Sequence, residues 1–210
     1  MKWKKLTVGP VQENTYILFD TKNEAIIIDP GSEGSKIIKY VESLKLKPLA
    51  VLLTHAHFDH IGAVDQMREK YQLPLYIHKK EKDWLTDPSK NGSKYFGQNI
   101  VAKPASHMIT DADSTLRIGS FSFEILHTPG HSPGSVSFYL KNAGTVFSGD
   151  ALFAGSIGRT DLNGGNQEIL LKSIHEQLLQ LPEETVVLSG HGPETTIGME
   201  MDSNPFLGGF

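Results

Sequence analysis

Apolar residues recur along this chain in two rhythms. Short runs rich in β-branched and aromatic residues at 15–19, 24–28, 49–53, 75–78, 115–118, 121–127, 135–140, 145–148 and 185–188 read as strands. Other stretches repeat apolar positions every three or four residues: Ile37, Ile38, Val41 and Leu44 in 35–46, Ile61, Val64, Met67 and Tyr71 in 61–71, and Ile169, Leu170, Ile174 and Leu178 in 167–181. These read as helices with one inward face. A shorter helix is expected at 80–85, stopped before Pro88. Residues 87–103 are rich in Ser, Asn, Gly and Lys with Tyr95 and Phe96 embedded, a composition that suits a lid or binding loop and equally a plain surface connection.

The order of these elements repeats weakly. Each half runs hairpin, strand ending in an aspartate (Asp29, then Asp150), helix, apolar strand, then a histidine (His55, then His191). Two such halves predict two sheets packed face to face with helices outside, a four-layer αββα sandwich in the α/β class. No linker or charge block interrupts the chain, so residues 1–210 read as a single domain. In such a sandwich the loops along one edge of both sheets converge.

Those loops hold the candidate chemistry. Thr54-His55-Ala56-His57-Phe58-Asp59-His60 puts four potential metal ligands into six residues, between a buried strand and a helix. A lone buried histidine is usually a satisfied core residue, but this density at a strand end suits zinc, iron or manganese. Three more candidates follow strands and are flanked by glycine: His131 in Thr128-Pro129-Gly130-His131, Asp150 after Gly149, and His191 between Gly190 and Gly192. Glycine there allows close approach and a sharp turn. The seven ligands His55, His57, Asp59, His60, His131, Asp150 and His191 exceed what one ion needs. They fit two ions sharing a bridging carboxylate, for which Asp150 is the natural choice. Asp29 is a candidate for orienting a ligand histidine. His78, His107, His127 and His175 read as ordinary strand, helix or surface residues. Arg159 and Asp161 read as a pair pinning a glycine-rich loop.

Composition narrows the function. The chain lacks cysteine, which removes disulfides, thiolate ligands and a cysteine nucleophile. The net charge of −4 with interspersed signs gives no footprint for nucleic acid or an anionic membrane. The charged start Met1-Lys2-Trp3-Lys4-Lys5 is not followed by an apolar segment, so a cytoplasmic location is expected.

With Thr54-His55-Ala56-His57-Phe58-Asp59-His60, Thr128-Pro129-Gly130-His131, Ser148-Gly149-Asp150, Gly190-His191 and Gly158-Arg159-Thr160-Asp161 in order, the chain resembles the metallo-β-lactamase-fold hydrolases. It is similar in particular to the short, glyoxalase II-like members. The resemblance implies that His55, His57 and His131 hold one metal and that Asp59, His60 and His191 hold a second, with Asp150 bridging. Asp59 and Asp150 are then the catalytic carboxylates. It implies two divalent ions, zinc foremost with iron or manganese as alternatives. It also implies hydrolysis of a small-molecule thioester, an S-acyl low-molecular-weight thiol, by a metal-bound hydroxide. Glyoxalase II enzymes add a C-terminal helical extension that helps bind glutathione. Residues 192–210 look too short for it, which leaves the thiol open between glutathione and another low-molecular-weight thiol, with residues 87–103 as the candidate for part of the substrate wall. The rival reading on the same fold is a mononuclear iron persulfide dioxygenase using His55, His131 and Asp150.

Overall fold

The structure, a computed structural model, describes residues 1–208. The chain forms two compact units: residues 1–110 with 117–121, and residues 111–116 with the chain from Ser122 onward.

In the first unit six strands form one sheet in sequence order: β1 (Lys2–Val8), β2 (Glu13–Phe19), β3 (Glu24–Ile28), β4 (Lys47–Leu52), β5 (Leu75–His78) and β6 (His107–Ile109). The β1-β2-β3 pairings are antiparallel and the β3-β4-β5-β6 pairings are parallel. Parallel neighbours need a crossover, and the helical periodicities supply two. Helix α1 (Gly34–Ser43) joins β3 to β4, and α2 (Phe58–Ile61) with α3 (Val64–Tyr71) joins β4 to β5. Ile17, Ile27, Val51, Leu75 and Ile77 of the sheet share one buried core with Ile37 and Val41 of α1 and Val64 and Met67 of α3.

The second unit repeats the scheme. Its sheet and helices are built from β7 (Thr115–Ile118) and β8 (Phe121–His127), whose residues 117–118 and 121 are counted with the first unit, and from β9 (Val136–Leu140), β10 (Thr145–Gly149), β11 (Leu152–Phe153), β12 (Ser156–Ile157), α4 (Gln167–Ser173), β13 (Val186–Ser189), β14 (Thr195–Thr196) and α5 (Ile197–Ser203). The sheet order is β14-β13-β10-β9-β8-β7, with β11 and β12 as a separate hairpin. The β8-β9-β10 pairings are antiparallel, whereas β10 and β13 are parallel and joined through α4. Tyr139, Val146 and Val187 pack with Leu170, Leu171, Ile174 and Leu178.

This shared topology explains where the polar residues cluster. In a parallel sheet the carboxyl ends of neighbouring strands lie side by side, the usual place for a site. In the first unit Asp29, the Thr54 to His60 stretch and the turn after His78 leave adjacent ends of β3, β4 and β5. In the second, Asp150 and His191 follow the parallel strands β10 and β13.

Several elements differ from expectation. β1 is a full seven-residue strand where the sequence reads only as a charged start. The helix expected at 61–71 begins earlier and breaks, because Ala63 donates its N–H to Pro30 O at 2.9 Å. The 80–85 helix is a single 3₁₀ turn (Lys79–Glu81). α4 passes at Ile174 into a π-helical turn that ends at Leu178, short of the expected 181. β6, β11, β12, β14 and α5 are additional.

Residues 87–103 are well tied down. Asn91 is fully buried, and its Nδ2 donates to Trp84 O (3.1 Å) and Ile100 O (2.8 Å) while its Oδ1 accepts from Ser93 N (3.0 Å). The Asn91→Ala change leaves these three backbone groups without that partner. It is expected to cost about 3 kcal/mol, read by urea unfolding, and to speed proteolysis within 87–103.

Candidate metal centre

In the first unit the ligand stretch is organised by Asp29, which ends β3 in a left-handed conformation (φ 48°). Its Oδ1 accepts the Thr54 N–H at 2.8 Å, and its Oδ2 accepts the Thr54 hydroxyl at 2.6 Å and lies 3.1 Å from His60 Nδ1. A carboxylate can only accept, so His60 Nδ1 carries the proton and its Nε2 holds the lone pair. The same logic passes to His55. Thr54 has spent its one hydroxyl proton on Asp29, so at 3.0 Å it accepts from His55 Nδ1, and His55 too presents Nε2 as a lone pair. One carboxylate thereby sets the tautomers of two histidines.

The imidazoles are close together and buried. The ring centroids of His55 and His57 are 4.8 Å apart, and those of His55 and His60 are 4.1 Å apart. Asp59 Oδ2 lies 3.7 Å from His60 Nε2. Close backbone passage holds this geometry: a Cβ at Gly31 would fall on the Asp59 carbonyl oxygen, and one at Gly62 on Gly31 O. That is why Asp29 is followed by Pro30-Gly31. Beneath His60, Glu13 is wholly buried; burial pushes its carboxyl well above the usual range, with His60 opposing and Asp29 and Asp59 adding to the rise.

In the second unit His131 sits in a loop anchored on α4. Ser173 Oγ donates to Pro129 O (2.7 Å), and Asn166 N to Gly130 O (2.7 Å). Gly130 (φ 129°) leaves no room for a Cβ, which would strike the Leu170 backbone. His131 Nδ1 donates to Arg159 O at 2.8 Å, so this histidine also offers Nε2. Asp150 Oδ2 lies 3.6 Å from His131 Nε2 and 3.5 Å from His191 Nε2. Gly190 N donates to Gly149 O at 2.8 Å, which ties the two strand ends together.

These donors fit divalent cations. Two ligands at 2.0–2.1 Å from a tetrahedral ion stand about 3.4 Å apart, close to the 3.5, 3.6 and 3.7 Å nitrogen–oxygen separations here. A set of buried imidazoles with carboxylates and no sulfur suits zinc, iron or manganese.

The remaining residues take lesser places. Arg159 forks onto Asp161 with two 2.7 Å bonds and holds its carboxyl down at about 2, as expected of a pair pinning the loop. His107 stacks on Tyr76 at 4.5 Å, and His127 lies 3.1 Å from Asp113 O. Besides Glu13, two neighbours of the His55 to His60 stretch were not foreseen: Glu81, which accepts the Ala56 N–H at 2.6 Å, and Trp84, whose ring is 5.6 Å from that of His57. Both reach the stretch through the β4–β5 pairing, which leaves no mark in local sequence.

Residues 8–191 match the metallo-beta-lactamase superfamily. The chain is 59% identical to the probable metallo-hydrolase YqgX of Bacillus subtilis, over all of this chain and 99% of the relative. It is 37% identical to the hydroxyacylglutathione hydrolase GloC of Haemophilus influenzae, over 96% of each. Among solved structures it is similar to BLEG-1 B3 metallo-beta-lactamase (TM-score 0.97, 54% identity, 99% of this chain and 100% of that one). It is also similar to TTHA1623 in a di-iron-bound form (0.86, 42%, 97% and 100%) and to ETHE1 from Myxococcus xanthus (0.78, 30%, 98% and 84%).

The chain belongs to the metallo-beta-lactamase superfamily and has its fold. Within that family it is a metal-dependent hydrolase, the class its metallo-hydrolase relatives define. Among the described residues no helix is long and apolar enough to cross a membrane.

Removing the Asp29 carboxylate tests its place in this network. Asp29→Ala is expected to lower stability by about 3 kcal/mol through the stranded Thr54 and His60 donors, read by urea unfolding. It is also expected to weaken metal binding about 10- to 100-fold, read by competition with a chromophoric chelator.

Proposed function

We propose that the protein is a binuclear metal-dependent thioesterase acting on an S-acyl low-molecular-weight thiol, with residues 1–210 as one catalytic domain. His55, His57 and His131 hold one ion, Asp59, His60 and His191 hold the other, and Asp150 bridges them. The observation that carries the two-ion reading is the near-equal distance of one oxygen, Asp150 Oδ2, from His131 Nε2 and His191 Nε2, 3.6 and 3.5 Å. The thioester reading is supported by the likeness to GloC along nearly the whole chain. Zinc is the first choice of metal, and the di-iron form of TTHA1623 makes iron the second.

Bound divalent ions supply Lewis acidity, which acidifies water and polarises an acyl carbonyl. The chain's own residues supply placement. Asp29 and Thr54 fix the ring orientation of His60 and His55, and the Arg159 carbonyl fixes that of His131. Asp59 and Asp150 add negative charge that offsets two cations. No side-chain nucleophile is required, in keeping with the absence of cysteine. Part of the substrate wall comes from residues 87–103: the ring of Phe96 lies tilted against that of Phe58, the residue between His57 and Asp59, at 4.9 Å, and Phe96 and Tyr95 remain 47% and 70% exposed. An exposed aromatic pair beside a ligand loop favours an apolar group on the substrate.

The persulfide dioxygenase reading draws on the likeness to ETHE1. It needs only His55, His131 and Asp150, and leaves the equal approach of His191 to Asp150 without a purpose. A β-lactam substrate draws on the likeness to BLEG-1 and enters the assay as a comparator.

Protein purified without a chelating tag is expected to contain close to two metal ions per chain by elemental analysis and to hydrolyse acyl thioesters faster than a cephalosporin. Asp150→Ala is expected to hold one ion or fewer. One iron per chain, with oxygen uptake on a persulfide and no thioester cleavage, would overturn the proposal. The wall is tested separately: Phe96→Ala should lower kcat/KM about 10-fold for an aromatic acyl thioester and leave the acetyl thioester nearly unchanged.

A further inference from the structure

The hairpin β11–β12 closely follows Asp150, the candidate bridging residue. Each of its strands has two residues, too few to hold a shape unaided. Leu152 and Ile157 anchor it in the core of the second unit. α5, the helix that follows His191 in the chain, holds its turn. Glu200 of α5 is buried, and both its oxygens are engaged: Oε1 accepts the Thr195 hydroxyl at 2.6 Å, and Oε2 accepts the Gly155 N–H at 2.9 Å and the Asn204 side-chain amide at 2.7 Å. Asn204 Nδ2 also donates to Ser156 O at 3.0 Å.

This bracing fixes Phe153. Its ring meets the imidazole of His191 in a T-shaped contact, with centroids 6.1 Å apart and planes at 89°, and both residues are half-buried. Leu152 and Ile157 already make the hairpin's core contacts, so packing alone does not call for an aromatic residue beside them. Half-exposed apolar surface gains stability when an apolar group covers it, and an aromatic ring on a rigid anchor is a usual pocket wall. Three donors converging on one carboxylate make such an anchor. We propose that Phe153 is a specificity-determining residue, presenting an apolar face to the group held beside His191, and that Glu200 is the positioning residue that keeps it there. This rests on the metal-binding reading of Asp150 and His191, but not on a particular reaction.

Binding to cobalt(II)-loaded protein tests this without turnover. The probes are phenylmethanethiol and 2-mercaptoethanol, followed by thiolate-to-cobalt absorption; the chain lacks cysteine, so they have no disulfide to reduce. The parent is expected to prefer the aromatic thiol. Phe153→Ala should lose about 10-fold of that preference, and Phe153→Leu should keep most of it. Glu200→Gln leaves one acceptor oxygen for three donors, and is expected to lower the preference by about threefold or more with cobalt content unchanged. Should E200Q not fold, Asn204→Ala, which removes the bond to Ser156 O, is held to the same criterion. A preference in F153A within about twofold of the parent overturns the specificity role. Loss of cobalt from F153A overturns it too, since the ring would then act on His191 alone. An unchanged preference in folded E200Q overturns the role of Glu200. Failure of the metal-centre reading is separate, because the parent protein itself would then take up no cobalt.

Discussion

The carboxylate of Asp29 is the constraint on which the first unit's chemistry depends. It receives the Thr54 amide, the Thr54 hydroxyl and the His60 ring N–H, and through Thr54 it also governs His55. These four hydrogen bonds leave His55 and His60 each one orientation and one lone pair. The second unit reaches the same end with a backbone carbonyl, Arg159 O, in place of a carboxylate. The two solutions share a principle. A metal ligand is useful only when its other nitrogen has been committed elsewhere.

Strand polarity makes this possible. Asp29, His55 and Glu81 come from three consecutive crossovers, yet they meet because β3, β4 and β5 run in one direction and finish at one edge. The left-handed backbone at Asp29 and the lack of room for a Cβ at Gly31 and Gly62 let that edge fold back tightly on itself. Helix interruption at Ala63 belongs to the same design, since the N–H it redirects to Pro30 O ties the β3 loop to the ligand turn.

Much of this was legible in the sequence, for identifiable reasons. His55, His57, Asp59 and His60 announce themselves because they are packed into six consecutive residues, and Asp29 because it occupies the same place in the repeat as Asp150. The strands that read correctly are either continuous apolar runs, as in β3, or alternate apolar with polar residues, as in β8. β1 was hidden because Lys2, Lys4 and Lys5 break its alternation, and β14 and α5 because they are too short to show a period. Glu81, Trp84 and Glu13 could not be found by pattern, since their roles arise only from which strands are neighbours. A glutamate three residues after a strand-end histidine carries no local signal.

The sheet margins carry a last consequence. Of the four outer strands of the two six-stranded sheets, β6 has three residues, β14 two and β7 four, lengths that offer little template for a foreign strand. β1 alone is long, with seven residues. It is also the strand that carries three lysines, so a second chain docking there would have to crowd ammonium groups together. The charges that disguise β1 in the sequence therefore also disfavour the pairing of a second copy along the longest outer strand among the described residues.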